Sequence, residues 1–158
     1  MFAVGDKIVH PMHGAGIVDS VVEKKISGIT REYYVLKLPV RAMDVMIPVD
    51  NCQEIGVRAV VSQLVAEEIL AAIPTIEVEL VQNWNRRYRE NMDRLKSGNL
   101  LEVAHVLKSL TIRDVARGLS TGERKMLHSA KQIFISEIVL SRNMSYEDIE
   151  QEIDTALS

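Results

Sequence analysis

Asn83-Trp84-Asn85-Arg86-Arg87-Tyr88-Arg89 brings the only tryptophan of the chain, one of its four tyrosines and three arginines into one short run. Two kinds of chemistry suit that mixture. A flat indole flanked by guanidinium groups can act as a wedge at a nucleic-acid base step, with the cations clamped on phosphates. It can equally be a buried anchor, because tryptophan in a helical bundle is commonly interior, and the arginines then form a solvated face. Further cations, Arg94, Lys96, Arg124 and Lys125, recur near predicted helix starts and ends. Arg124 and Lys125 stand in a first helical turn against the preference of the helix dipole, which costs about 0.3 kcal/mol and points to another use.

Catalytic chemistry finds little footing. His10 and His13 have a spacing seen in some metal pairs, but no Cys or third His completes a site, and His105 and His128 fall in a different region. Gly14-Ala15-Gly16 lacks the third glycine and the following helix of a dinucleotide fingerprint. No serine elbow, phosphate loop or His-Glu zinc motif is present. The single cysteine, Cys52, can build neither a disulfide framework nor a Cys-rich zinc site and reads as a small buried apolar residue. The expectation is a protein that is not an enzyme, with no metal, no cofactor and no small-molecule substrate.

The elements that must position the tryptophan follow from periodicity. Up to about Gly56 the chain reads as β structure: Lys7 to His10, Ile17 to Ile26, Arg31 to Leu38 and Val45 to Ile47, with Cys52 to Ile55 as a possible closing strand. Pro11, Gly14-Ala15-Gly16, Ser27-Gly28 and Pro48 punctuate these runs. Short strands joined by tight turns predict a small Tudor/SH3-like β-barrel over 1–56, of the kind that serves as a binding module. After Gly56 the spacing of Val57, Val60, Val61, Leu64, Val65, Ile69 and Ile73 turns helical until Pro74. Thr75 to Gln82 reads as loop. Asn83 is an N-cap for a helix that stops at Ser97-Gly98, so Trp84 falls in a first turn; a second helix runs from Leu100 to Ala116. Ser120-Thr121-Gly122-Glu123 is a capping box before a helix of about 20 residues, and Ser145 with Asp148 opens a short acidic one. The fold class is α+β in two domains, the barrel over 1–56 and an all-α bundle of about five helices over 57–158.

A net charge of −3 argues against a nucleic-acid partner until its distribution is counted. Asn83 to Lys131 holds eleven Lys and Arg against five acids, whereas Gln132 to Ser158 holds one Arg against six. Sorted charge of this kind makes a basic surface that can steer a polyanion, or simply solvated helix faces. No apolar run reaches the roughly 18 to 20 residues of a membrane span, and the start does not read as a signal peptide, so the expectation is a cytoplasmic protein with no membrane partner.

Three stretches together resemble the CarD/CdnL family of bacterial transcription regulators. They are Val4-Gly5-Asp6-Lys7-Ile8-Val9-His10-Pro11 with His13-Gly14-Ala15-Gly16, the Asn83 to Tyr88 run, and Gly118-Leu119-Ser120-Thr121-Gly122-Glu123-Arg124-Lys125-Met126-Leu127. The resemblance implies a Tudor-like N-terminal domain that binds the β subunit of RNA polymerase, and a helical C-terminal domain that touches promoter DNA near the upstream edge of the −10 element. It implies that Trp84 wedges into the minor groove and stabilises the open complex. Arg86, Arg87, Arg89, Arg124 and Lys125 would hold the backbone without reading sequence. For the polymerase contact it points to an edge strand, Val45-Met46-Ile47-Pro48, with Lys24 nearby. Met46 stands where some members carry arginine, so apolar packing would replace an ion pair; for Ile47, core packing is an equal reading. A protein-only adaptor with a buried or interfacial Trp84 is the competing expectation.

Overall fold

The computed structural model describes all 158 residues. Its N-terminal part is one antiparallel sheet of strands β1 (Lys7–His10), β2 (Gly14–Ile26), β3 (Ile29–Leu38), β4 (Met43–Pro48) and β5 (Arg58–Ala59), in the order β4-β3-β2-β1-β5. Ser27 and Gly28 turn the long β2–β3 hairpin, both at positive φ, as a two-residue type I′ loop requires. Alternation along these strands buries Ile8, Val18, Tyr34, Leu36 and Ile47 in one small core. Strand β4 lies at one edge of the sheet, paired only with β3.

Two expectations fail just after the fourth strand. Cys52–Ile55 is a single helical turn (α1), closed by Gly56 in the left-handed region at φ 95°, whose N–H donates to the Cys52 and Gln53 carbonyls. The closing strand is β5, which pairs with β1 through Val9 and Arg58. The helix read from Val57 therefore begins only at Gln63, behind the Ser62 cap. Sheet pairing has won over helical spacing here, because Val60 N–H donates to the Lys7 carbonyl at 3.0 Å and leaves no helical backbone before Ser62.

The helices that follow are α2 (Gln63–Ala72), α3 (Trp84–Lys96), α4 (Leu100–Arg117), α5 (Thr121–Arg142) and α6 (Tyr146–Leu157). Helices α3, α5 and α6 start behind the expected caps Asn83, Ser120 and Ser145, and α4 starts at Leu100 as expected, with Asn99 as its cap; all four side chains accept a backbone N–H of the first turn. Leu95, Val103, Leu107, Leu110, Phe134 and Ile138 centre the helical core. The segment from Ile76 to Gln82 has no regular structure, and Ile76 packs against the helical core.

Helix α5 also packs across the sheet. Ala15 N–H donates to Ser136 Oγ at 2.9 Å. A Cβ on Gly14 would lie 2.7 Å from that oxygen, so glycine is what lets strand and helix approach. Arg58 grips Glu137 of α5 with Nη1 to Oε2 at 2.6 Å and Nη2 to Oε1 at 2.8 Å, while Val61 N–H donates to the same carboxylate at 2.9 Å. Glu137 is fully buried, and three donors satisfy it, which is the condition under which a buried carboxylate is tolerated. No helix of this fold is long and apolar enough to cross a membrane.

Candidate nucleic-acid interface

Asn83 starts α3 by accepting Arg86 N–H on its side chain at 2.9 Å, and this sets Trp84 at the first helical position. The indole is neither core nor free projection. Trp84 is 42% exposed. One face stacks on Tyr88, one turn later, with ring centroids 5.0 Å apart and an interplanar angle of 19°. Its Nε1–H donates to Ser120 Oγ at 3.1 Å, and Ser120 is the N-cap of α5. The start of α3 and the start of α5 thus meet at one corner, with the positive ends of two helix dipoles together.

The expected cations divide on inspection. Arg89, Arg124 and Lys125 are exposed and take part in none of the ion pairs. Arg86 is exposed but pairs with Glu90 at 2.9 Å, and the hydrogen bond and charge of Glu90 push its pKa upward. Arg87 corrects the expectation of a surface clamp. It is 6% exposed and bidentate to Glu123, Nε to Oε2 at 2.7 Å and Nη2 to Oε1 at 3.1 Å, with Nη1 donating to the Val81 and Gln82 carbonyls. These four hydrogen bonds hold the guanidinium inside the protein as a brace rather than a surface clamp. Burial pushes the Glu123 carboxyl up, but hydrogen bonds and charge from Arg87, together with Ser120, outweigh this and hold it below the usual carboxylate range.

Glu123 and Ser120 were legible only as a capping box, and their role behind the tryptophan was missed. The signal was present. Glu123 falls in register with Met126, Ala130, Phe134 and Glu137 along the apolar stripe of α5, and an ionisable group in such a stripe needs a buried partner.

At the edge strand, Met46 points outward at 37% exposure, Val45 and Pro48 are half-buried, and Ile47 is 1% exposed within the sheet's core. Ile47 therefore has no side chain to offer a partner, because strand alternation turns it inward. Lys24 is exposed on β2 opposite Arg31, with β3 between it and β4. Elsewhere, the His10 and His13 rings lie 4.5 Å apart, and burial with the charge of His13 pushes His10 down to about 4. No group of three or more His, Cys, Asp or Glu is placed to hold a metal ion. Cys52 is buried, its thiol donates to the Pro48 carbonyl at 3.3 Å, and burial pushes its pKa up, as suits an inert packing residue.

Residues 68–154 match the family model described as CarD, C-terminal domain, and residues 2–61 match the CarD-like/TRCF RID domain. The chain belongs to the CarD family. A curated relative, the putative transcription factor YdeB of Bacillus subtilis (strain 168), is 33% identical over 149 residues, covering 94% of this chain and 97% of that protein. The 72-residue N-terminal domain of Myxococcus xanthus CarD, solved by NMR in solution, is 29% identical over 37% of this chain and 79% of its own, with a TM-score of 0.33. CarD-family membership makes this chain a transcription regulator with a Tudor-like module of the RNA polymerase-interacting class, followed by a helical domain.

Proposed function

We propose that this CarD-family protein bridges the RNA polymerase β subunit and promoter DNA, and that Trp84 stabilises the open complex as a minor-groove wedge near the upstream edge of the −10 element. The sheet unit, which β5 extends to Ala59, makes the polymerase contact, and the helical unit that begins behind the Ser62 cap makes the DNA contact. One observation carries the reading: a half-exposed indole at the corner where two helix N-termini meet, beside the unpaired cations Arg124 and Lys125 of α5. An aromatic wedge offsets part of the cost of unstacking a base step, about a few kcal/mol, and phosphate contacts add affinity that falls with salt. Arg89, Arg124 and Lys125 are the phosphate contacts in this reading; Arg86 joins them by exchanging Glu90 for a phosphate, and Arg87 acts only from behind.

For the polymerase, β4 offers the unpaired backbone of an edge strand, onto which a partner strand can add. Met46, Val45 and Pro48 would flank that strand, Ile47 would contribute backbone only, and Lys24 lies too far across the sheet to share the same strand contact. Weak DNA affinity suffices when the polymerase contact supplies local concentration. The test is Trp84→Ala: the variant is expected to fold and bind the polymerase as wild type does, while open-complex lifetime on a promoter fragment falls about tenfold, corresponding to about 1.4 kcal/mol. Equal lifetimes would overturn the wedge.

A further inference from the structure

We infer that Ser120 is a positioning residue for the Trp84 indole, holding it from the neighbouring helix through a hydrogen-bond chain that ends on backbone carbonyls. This rests on the reading of Trp84 as the DNA-contacting tip. A serine hydroxyl has one donor and two acceptor positions, and at Ser120 all three are in use. Its Oγ accepts Trp84 Nε1–H at 3.1 Å and Glu123 N–H at 3.2 Å, and donates to Glu123 Oε1 at 3.2 Å. Both of the other contacts bring N–H donors, so among the protein groups around it the hydroxyl proton has the carboxylate as its acceptor. Glu123 in turn accepts two donors from Arg87, which is anchored on the Val81 and Gln82 carbonyls.

Capping alone does not require this arrangement. Ser62 and Ser145 cap α2 and α6 by accepting Val65 N–H and Asp148 N–H, and neither takes a further side-chain donor. The consequence for the indole is orientation. Nε1 faces Ser120, and a Cβ on Gly122 would lie 3.8 Å from Cζ2, so the Nε1–Cζ2 edge is turned toward the start of α5. One face rests on Tyr88. The outer face and the opposite Cε3–Cζ3 edge are left to meet a base step. A side chain ordered before binding does not lose that freedom on binding, so presentation of this kind raises affinity by a factor of about three to ten.

The experiment uses the full chain, in which Trp84 is the only tryptophan and so gives one indole N–H resonance and one fluorophore. Ser120→Gly removes the hydroxyl while costing little as a cap, because glycine is itself an acceptable N-cap. Ser120→Thr restores the hydroxyl, and Ser145→Gly controls for the capping loss. In Ser120→Gly, indole N–H exchange with water and acrylamide quenching should both rise, and open-complex lifetime should fall about three- to tenfold. Its melting temperature should drop somewhat more than that of Ser145→Gly, because buried Glu123 also loses the hydroxyl's hydrogen bond, and Ser120→Thr should return exchange, quenching and lifetime toward wild type. Wild-type exchange and quenching in Ser120→Gly would overturn the inference. So would a loosened indole with unchanged lifetime, provided Trp84→Ala shortens it. If Trp84→Ala has no effect on lifetime, the wedge reading fails instead, and the indole resonance alone decides whether Ser120 holds the ring.

Discussion

Helix α5 carries two buried glutamates, each held by two hydrogen bonds from one arginine, and the two pairs do different work. Glu123, in the first turn, binds Arg87 of α3 inside a single core, with side-chain exposures of 2% and 7%. Glu137, farther along, binds Arg58 of the sheet across the joint between the two units, with exposures of 0% and 30%. Each carboxylate takes one further donor, the Ser120 hydroxyl in the first case and Val61 N–H in the second. The first pair fixes a tip and the second fixes the relation between that tip and the sheet edge. Because both glutamates belong to one helix, the two proposed contact surfaces share one rigid reference, which is what a protein that bridges two partners needs.

Breaking each pair separates these roles, and the joint should show the larger effect. Glu137→Ala leaves Arg58 without its carboxylate and strips Val61 N–H of its acceptor. We expect a loss of about 3 kcal/mol in urea unfolding, the low end for a broken buried pair because Arg58 is partly solvated. The unfolding transition should also broaden or split as sheet and bundle lose their common frame. A single sharp transition near the wild-type midpoint would show that the ion pair adds nothing to the apolar packing of the joint.

At the tip, Glu123→Gln keeps the shape and one acceptor but removes the charge, and should cost about 2 kcal/mol, the worth of hydrogen bonds to a charged group. The joint should be unaffected. Increased quenching of Trp84 fluorescence without loss of the sheet's hydrogen-exchange protection would mark the damage as local; uniform loss of protection would erase the distinction between the pairs.

Acid sharpens the comparison with the smallest effect. His10 ends β1, paired with Gly14 at the contact with α5, and its pKa stands at about 4 against an ordinary 6.5. The unfolded chain takes up this proton first, so the contribution of neutral His10 is complete above about pH 6.5 and is lost as pH falls toward about 4. Glu123 is also depressed, so its contribution is complete above the ordinary carboxylate pKa, about 4.3, and is lost as pH falls through the lower folded value. Melting temperature should therefore decline in two windows. Burial also lowers the pKa values of His13 and His105, so His10→Asn should reduce the upper decline without abolishing it and leave the lower one, and an upper decline unchanged by the substitution would assign that window to the other two.

How much of this was legible in the sequence depends on the range of the interaction. Caps and stops act within a turn of chain, which is why Asn83, Ser120 and Ser145 mark the starts of three helices correctly. The hairpin turn at Ser27-Gly28 is equally local. The strand at Arg58–Ala59 was not legible, because two residues carry no periodicity and their pairing partner, β1, lies some fifty residues back.

The candidate site divides in the same way. By itself the sequence determined that an indole and a dense group of cations begin a helix, since cap, composition and charge are properties of neighbouring residues. It could not say which arginine faces inward. Arg86, Arg87 and Arg89 leave α3 in three directions, and only the packing of α5 and the strap at Val81–Gln82 turns Arg87 into a buried brace while Arg89 stays in solvent. The tertiary structure alone decided that the tryptophan is neither buried nor loose, because its restraint comes from a serine on another helix and that contact exists only once the two helix starts have met.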